Sequence, residues 1–232
     1  MNYLKVLTKG ALFIAVAISL SSCLKNKGTE IVQPDVAFLS VYHASPGTLK
    51  TDFVLDGQLV TAGLEYKSNK GYYTLYTGSR AAAFYKENSY TDTIRTKKFT
   101  AEKDSIYSLF LIGPASNPET LLIRDHLTAP ATGKANVRFV NLSPDAGSFT
   151  LKAIATSVDT TFFDGINYKT ATNFSAVTPR TYKLELHKGG TKVTDLADVA
   201  IGSGKNYTIW ATGLDGDPNN ELKPVIKVTE NK

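Results

Sequence analysis

The chain has 232 residues, of which 42% are hydrophobic and 20% are charged. This apolar fraction excludes an intrinsically disordered chain, which lacks the burial needed to offset the entropy of ordering. A single cysteine excludes a disulfide framework and, with only three histidines, nearly excludes a Cys/His zinc site. The net charge of +5 is mild and does not indicate nucleic acid as a partner.

Residues 1–22 are predicted to be a signal peptide. Lys5 and Lys9 precede an uncharged apolar run, residues 10–20, that is shorter than the roughly 20 residues of a membrane-spanning helix. The segment ends in a motif that resembles the lipobox of bacterial lipoproteins, formed by Leu20, Ser21, Ser22 and Cys23. The resemblance implies cleavage before Cys23 and attachment of lipid to its nucleophilic thiol.

These features predict where the protein is located. We expect it to be lipid-anchored in the bacterial cell envelope, at the outer membrane. The polar residues 23–33 show no periodicity and are predicted to be the lipidated tether between membrane and fold. The sequence leaves open whether the protein faces the periplasm or the cell surface.

Three sequence patterns occur twice in the same order along the rest of the chain. The paired segments are 39–46 with 137–144, 66–68 with 168–170, and 107–113 with 207–213. Their offsets of 98, 102 and 100 residues are nearly constant, which indicates duplication of a domain of about 100 residues. This size is typical of an immunoglobulin-like β-sandwich.

The duplication sets the predicted domain boundaries. The first β-sandwich domain is predicted at 34–128 and the second at 135–232. Between them lies a linker, 129–134, in which Pro130 and Gly133 interrupt any regular element.

In the first domain, short segments rich in β-forming residues alternate with turn signals. The predicted strands are 36–42, 53–55, 58–60, 71–76, 80–85, 91–99 and 105–112. Asp56 and Gly57 stand between the second and third of these strands. They give the strongest hairpin signal in the chain, because both residue types tolerate the positive φ of a type I′ turn.

The second domain shows the same kind of pattern. Its predicted strands are 135–140, 148–154, 181–187, 193–201, 206–211 and 223–229. Alternation in the third of these places Tyr182, Leu184 and Leu186 on one face. No long amphipathic helix is indicated after residue 33. We therefore predict an all-β fold, with two tandem immunoglobulin-like β-sandwich domains after the lipoprotein signal peptide.

The repeated segments also carry a family resemblance. Residues 41–46 (VYHASP) and 137–146 (VRFVNLSPDA) resemble the opening signature of domain-of-unknown-function family 4397, in two tandem copies. The first copy has Gly47 where that family usually has an acidic residue, and the second copy lacks the Asp-Gly hairpin. The resemblance implies a β-sandwich in exported bacterial proteins, and it implies no established activity.

The Ser-Pro turns contain four candidate ligand or turn positions, namely His43, Ser45, Asn141 and Ser143. Proline ends a strand and serine bonds its own turn backbone, so architecture alone can account for these turns. The alignment of His43 with Asn141 favours a shared polar role. It argues against a shared general base, because asparagine takes no proton at neutral pH.

Two further groups of residues are candidate binding sites. Tyr72, Tyr73 and Tyr76 would either form a platform for sugar rings or fill the core and cross-strand pairs. Asp215, Asp217 and Asn219 place oxygen ligands at alternate residues, as a calcium loop does at its start. The later glycine and terminal glutamate of such a loop are missing, so we favour an acidic turn and predict no metal site.

The sequence contains no nucleophile elbow, phosphate loop, paired-histidine motif or dinucleotide-binding glycine pattern. We therefore expect a non-catalytic binding or structural module without a cofactor. The expected partners are the membrane, through the lipid anchor, and another envelope protein or a polysaccharide, but not nucleic acid. The alternative is a glycan-binding accessory lipoprotein of an outer-membrane uptake system.

Overall fold

The computed structural model describes residues 33–231, and none of these residues is helical. The predicted signal peptide, the lipobox with Cys23 and all but the last residue of the tether lie outside the described residues. Within the described range, no helix has the length and apolar character needed to cross a membrane. From Asp35 onward the described chain is one compact unit.

Seventeen strands follow one another along the described chain. The first eight are β1 (Val36–His43), β2 (Thr51–Leu55), β3 (Gln58–Leu64), β4 (Ser68–Tyr76), β5 (Gly78–Lys86), β6 (Thr93–Ala101), β7 (Ile106–Ile112) and β8 (Glu119–Asp125). The others are β9 (Ala135–Asn141), β10 (Ser148–Ala155), β11 (Val158–Asn167), β12 (Thr170–Ala171), β13 (Ser175–Val177), β14 (Arg180–Lys188), β15 (Thr191–Ile201), β16 (Asn206–Thr212) and β17 (Val225–Asn231).

Two local predictions are confirmed. The β2–β3 hairpin turns at Asp56 and Gly57, whose φ angles of 50° and 81° are those a type I′ turn requires. In β14, Tyr182, Leu184 and Leu186 are all buried on one face, as the alternation indicates. Turn chemistry and period-2 patterning therefore determine these elements locally.

The sequence patterns miss β8 and β11. In β8, Leu122 packs against one apolar cluster while Leu121 and Ile123 pack against another, so both faces are partly buried and no alternation is visible. In β11, Asp164 and Gly165 resemble a turn, yet the strand continues through them with Gly165 at a φ of 64°. The short strands β12 and β13 are also missed.

The strands form four sheets, two in each half of the chain. In the first half, the sheet β4-β1-β7-β8 (the first inner sheet) packs on β3-β2-β5-β6 (the first outer sheet). In the second half, β12-β9-β16-β17, with β13 also paired to β9, is the second inner sheet, and it packs on the second outer sheet, β11-β10-β14-β15. The two sandwiches confirm the predicted all-β, immunoglobulin-like fold class.

Each sandwich has its own apolar core. The first contains Leu39, Phe53, Phe84 and Leu109, which are fully buried between its two sheets. The second is built in the same way, around residues such as Phe139 and Leu184. Each half of the chain thus buries its own hydrophobic centre.

A third apolar cluster joins the two inner sheets. It is formed by Tyr42, Ala44, Phe110, Ile112, Val140, Leu142 and Trp210. Tyr42 stacks on Phe110 with ring centroids 4.3 Å apart, and it meets Trp210 edge-on at 5.9 Å. The layers therefore follow the order outer, inner, inner, outer, and the central strands are buried on both faces.

The central strands of the two inner sheets show little alternation in their sequences. In both inner sheets the two central strands run parallel, β1 beside β7 and β9 beside β16, whereas the other pairs are antiparallel. Strands buried on both faces read as nearly continuous apolar runs, which explains the weak alternation in β1.

The strand registers repeat between the two halves. Leu39 of β1 pairs with Tyr73 of β4, and 98 residues further on Val137 of β9 pairs with Ser175 of β13. The parallel β1–β7 and β9–β16 pairs also coincide, at offsets of 98 and 100 residues. The two halves therefore have equivalent positions that can be compared residue by residue.

Candidate functional site

The best-defined polar site lies where the two inner sheets meet. Arg138 of β9 is almost fully buried and reaches across to Asp125 at the end of β8, with Nη1 2.7 Å from Oδ1. Its Nη2 donates to Ser108 Oγ at 3.1 Å, and its Nε donates to Thr208 Oγ1 at 2.9 Å. One guanidinium thus holds residues from both sandwiches.

The groups that Arg138 contacts are themselves paired in an equivalent way. Ser108 Oγ donates to Asp125 Oδ2 at 2.7 Å, and Thr208 Oγ1 donates to Asn231 Oδ1 at 2.7 Å. Asp125 and Asn231 hold the same place in the register, opposite the first residues of β7 and β16. We call Ser108, Asp125, Arg138, Thr208 and Asn231 the interface network.

The electrostatics of this network are those of a desolvated ion pair. Burial raises the pKa of Asp125, and the positive charge of Arg138 offsets part of that rise. Asp125 Oδ1 makes an ion-pair contact with Arg138 but has no well-aligned hydrogen bond. Such a pair gives little net stability, although removing one partner is costly because it leaves a buried charge uncompensated.

Further contacts extend the interface beyond the charge pair. Asn231 Nδ2 donates to Tyr72 Oη at 2.8 Å, and Thr212 Oγ1 donates to the carbonyl of Ala44 at 2.8 Å. The guanidinium of Arg138 also lies 4.9 Å from the ring centre of Phe174. These bonds hold the two sandwiches in one relative position.

The four candidate residues of the Ser-Pro turns are fully buried, and His43 makes hydrogen bonds to the backbone of its own turn. His43 Nε2 lies 3.0 Å from the carbonyl of Leu49, and its Nδ1 accepts from the backbone N–H of Ser45 at 3.4 Å. This arrangement needs a neutral ring protonated at Nε2. Burial lowers the pKa of His43, which favours the neutral form.

Asn141 makes the equivalent contacts in the second sandwich. Its Oδ1 accepts from the backbone N–H of Ser143 at 3.1 Å, and its Nδ2 donates to the carbonyls of Gly147 and Ile166 at 3.1 and 2.9 Å. The two side chains therefore share one role, in which each accepts from the serine N–H and donates to a nearby carbonyl.

The serines of the two turns differ in their bonding. Ser45 Oγ donates to the carbonyl of Gly113 at 2.6 Å, whereas Ser143 Oγ is buried without a hydrogen-bond partner. Both serines have 0% exposure, so neither hydroxyl is accessible to a substrate.

The three candidate platform tyrosines do not share one environment. Tyr73 packs against the first core and shares a hydrogen bond with Thr61. Tyr72 points to the other face of β4, where its hydroxyl accepts from Asn231. Tyr76 is 61% exposed near the end of the strand. Tyr72 and Tyr73 are therefore structural contacts on opposite faces.

The Asp215 segment has the hydrogen bonds of an acidic turn. Asp217 Oδ1 accepts from the backbone N–H of Asn219 at 2.7 Å, and Asn219 Oδ1 accepts from that of Glu221 at 3.0 Å. Asp215 pairs with Lys188. Among residues 33–231, no group of three or more His, Cys, Asp or Glu side chains is placed to hold a metal ion.

One end of the first sandwich carries an open cleft between loops. Leu49, 82% exposed, lies in the loop between β1 and β2 and lines this cleft together with Ile94 and Pro118. Lys50 and Arg95 stand at its edge, but Lys50 pairs with Glu65 at 2.8 Å and Arg95 donates to the carbonyl of Pro118. The basic groups here already have protein partners.

Sequence reasoning missed Arg138 and Asp125. Arg138 had a visible signal, since it is a charged residue inside the apolar run of β9. Asp125 had none, because its partner comes from the other half of the chain.

The chain matches the sequence model of a protein family that has no assigned activity. The sequence model of a family described as Domain of unknown function (DUF4397) matches residues 37–152, which spans the first sandwich and continues into β10. No curated protein matches the chain.

Several solved structures are similar in part. The C-terminal domain of AlgF from P. aeruginosa is 25% identical over 43% of this chain and 99% of that domain, with a TM-score of 0.33. A family CBM26 module of Eubacterium rectale Amy13K, solved with maltoheptaose, is 10% identical over 82% of this chain and 96% of that one, with a TM-score of 0.27. A candidate cell adhesion protein from Bacteroides eggerthii is 10% identical over 86% and 96%, with a TM-score of 0.24.

Proposed function

The chain belongs to the DUF4397 family, and from its own structure we propose that it is a non-catalytic, lipid-anchored envelope module. Its double sandwich would serve as a rigid body that presents loops and clefts to a partner. Binding residues are often found on loops held by a rigid scaffold, and the loop-end cleft with exposed Leu49 has this form.

The interface network is the observation that carries this proposal. Residue types that perform chemistry elsewhere are used here to hold structure: Arg138 and Asp125 join the sandwiches, and His43 fixes a turn. Because these buried polar groups make structural contacts, they stabilise a rigid scaffold on which exposed loops can bind a partner.

We further propose that the two sandwiches are tandem copies of one ancestral domain. Support comes from the repeated strand registers and from the matched roles of His43 and Asn141 at the two Ser-Pro turns. The boundaries 34–128 and 135–232 belong to this proposal.

The anchor and location are also proposals, and they rest on the sequence motif around Cys23. Lipid on Cys23 would hold the module at the outer membrane, and the proposal does not specify whether it faces the periplasm or the cell surface.

Labelling growing cells with a palmitate analogue tests the anchor. We expect the wild-type protein to carry the label and to be found in the membrane fraction, and Cys23→Ser to show neither. Ser22→Ala, which keeps a small residue before the cysteine, should show both. Label that persists in Cys23→Ser would contradict the anchor.

A second candidate function is glycan binding as an accessory to an outer-membrane uptake system. The predicted tyrosine platform does not support it, because Tyr72 and Tyr73 face opposite sides of β4. The observation that favours it is instead an open cleft in the second sandwich, lined by aromatic rings and hydroxyl groups.

A further inference from the structure

The second sandwich has an open cleft of about 410 Å³ between β11, β13 and β14. Phe162, Phe163 and Tyr182 contribute apolar and aromatic lining. Thr161 and Ser175 contribute hydroxyl groups, with further hydroxyls from neighbouring threonines. We call this space the Arg180 cleft, after the one charged residue in its lining.

Arg180 differs from the other arginines of residues 33–231. Each of those donates a hydrogen bond to an acceptor: Arg80 to Asp56, Arg95 to Asn117, Arg124 to Glu102 and Arg138 to Ser108. Arg180 makes no side-chain hydrogen bond or ion pair within the described chain, and its Nε is buried without a partner. A guanidinium without a protein acceptor is costly to desolvate, and an acceptor bound at its Nη groups would relieve that cost.

The guanidinium lies beside an aromatic ring and has no counter-ion among residues 33–231. It lies 5.9 Å from the ring centre of Tyr182, which in turn meets Phe162 edge-on at 5.2 Å. The hydroxyl of Tyr182 donates to the carbonyl of Thr178 at 2.7 Å, which fixes the ring. The Nη groups of Arg180 have no acceptor among residues 33–231 and therefore remain available to a ligand.

The first sandwich lacks these features at the equivalent positions. There Tyr73 and Thr61 share a hydrogen bond between the two sheets, whereas their counterparts Ser175 and Phe163 make no such bond. The position equivalent to Arg180 is Gly78, which carries no side chain. The cleft is thus a difference between two otherwise matching halves.

We propose that the Arg180 cleft binds an acidic sugar, with its carboxylate on the guanidinium of Arg180. A single unpaired guanidinium matches one negative charge and can take a carboxylate through two parallel N–H donors. Phe162, which is only partly buried, can pack on the apolar face of a sugar ring, and the threonine and serine hydroxyls suit its hydroxyl groups. This inference rests on the proposed binding-module function and names its ligand class.

Calorimetric titration of the full chain in detergent tests the proposal. The probes are galacturonate and glucuronate oligomers, their methyl esters, and a short glutamate-containing peptide. We expect the uronate oligomers to bind, and the esters, which lack the negative charge, to bind at least 10-fold more weakly. The peptide is expected not to bind.

Three variants locate the binding. Arg180→Gln removes the charge, and Ser175→Tyr fills the cleft with the residue found at the equivalent position of the first sandwich. Each is expected to weaken uronate binding at least 10-fold while leaving the melting temperature within a few degrees of the wild type. Arg124→Gln, an exposed arginine of the first sandwich, is the matched control and should bind as the wild type does.

The outcomes separate this proposal from the function on which it rests. Absence of uronate binding, equal binding by Arg180→Gln, or binding of the peptide in place of the sugar would each overturn the acidic-sugar site. None of these results would alter the labelling of Cys23, which tests the anchored module independently.

Discussion

His43 and Asn141 perform one structural task with two different side chains. Each accepts from the backbone N–H of a serine two residues later and donates to a carbonyl nearby. Only the histidine can gain a proton, and the proton would occupy the nitrogen that accepts from Ser45. The first sandwich is therefore sensitive to acid at a position where the second is not.

This difference predicts the pH dependence of stability. Because the pKa of folded His43 is lowered from 6.5, the unfolded chain binds more protons just below that pH. The contribution of neutral His43 is fully present above about pH 6.5 and is lost as the pH falls toward the lowered pKa. We expect His43→Asn, which copies the second sandwich, to flatten the fall in melting temperature as the pH drops below about 6.5.

Thermal melts across this pH range provide the measurement. An unchanged slope in His43→Asn would show that this ring is not the group whose protonation weakens the fold.

At the level of single residues, the sequence predicted those features that are determined by residues adjacent in the chain. Asp56 and Gly57 were sufficient to predict a hairpin, and the Ser-Pro motifs were sufficient to align His43 with Asn141. The pairing of Arg138 with Asp125 was not predictable, since it depends on how two separate domains face each other.

The strands of the two inner sheets carry polar groups at positions that normally hold apolar residues. Arg138 lies in the middle of β9 between buried neighbours, and Asp125 closes β8 against β7. The sheets accept these charges because each hydroxyl and amide in the interface network has a partner across the gap or within the same sheet. The charged residues can therefore occupy these buried strand positions only because the interface network supplies their hydrogen-bond partners.

Breaking the charge pair is expected to be more damaging than replacing it. Arg138→Met leaves Asp125 buried without its counter-ion and should lower the free energy of unfolding by about 3–5 kcal/mol. The double variant Arg138→Met with Asp125→Leu removes both charges and should recover most of that loss. Urea denaturation of the single and double variants measures both effects.

The double variant is its own control, since it shares the Arg138→Met substitution. A single variant within about 1 kcal/mol of the wild type would mean that the pair is not desolvated as its burial indicates. A double variant as unstable as the single one would show that packing, rather than uncompensated charge, accounts for the loss.

At the element scale, the same burial explains which strands the sequence revealed. Strands with one covered face, such as β14, alternate and were predicted. The segment Leu121 to Ile123 in β8 is covered on both sides by different clusters, so its periodicity is absent. The central strand β1 was predicted from its β-forming residues together with a loose alternation.

The described chain forms two sandwiches whose inner sheets pack against each other through a third apolar cluster. Each keeps its own core, and the third cluster around Tyr42, Phe110 and Trp210 lies between them. The sequence predicted the two sandwiches but left their relative orientation open, because a short irregular linker permits several. The contacts that select one orientation join residues from different halves of the chain, such as Arg138 with Asp125 and Thr212 with Ala44.

We expect this buried interface to make the two sandwiches unfold as one cooperative body, and the single tryptophan of the chain reports directly on that interface. Trp210 is 1% exposed within the third apolar cluster, between the two inner sheets. In equilibrium urea unfolding, its fluorescence should change in the same transition as the far-ultraviolet circular dichroism of all the strands. A fluorescence transition at clearly lower urea, before the strand signal is lost, would mean that the sandwiches separate first and would contradict the account.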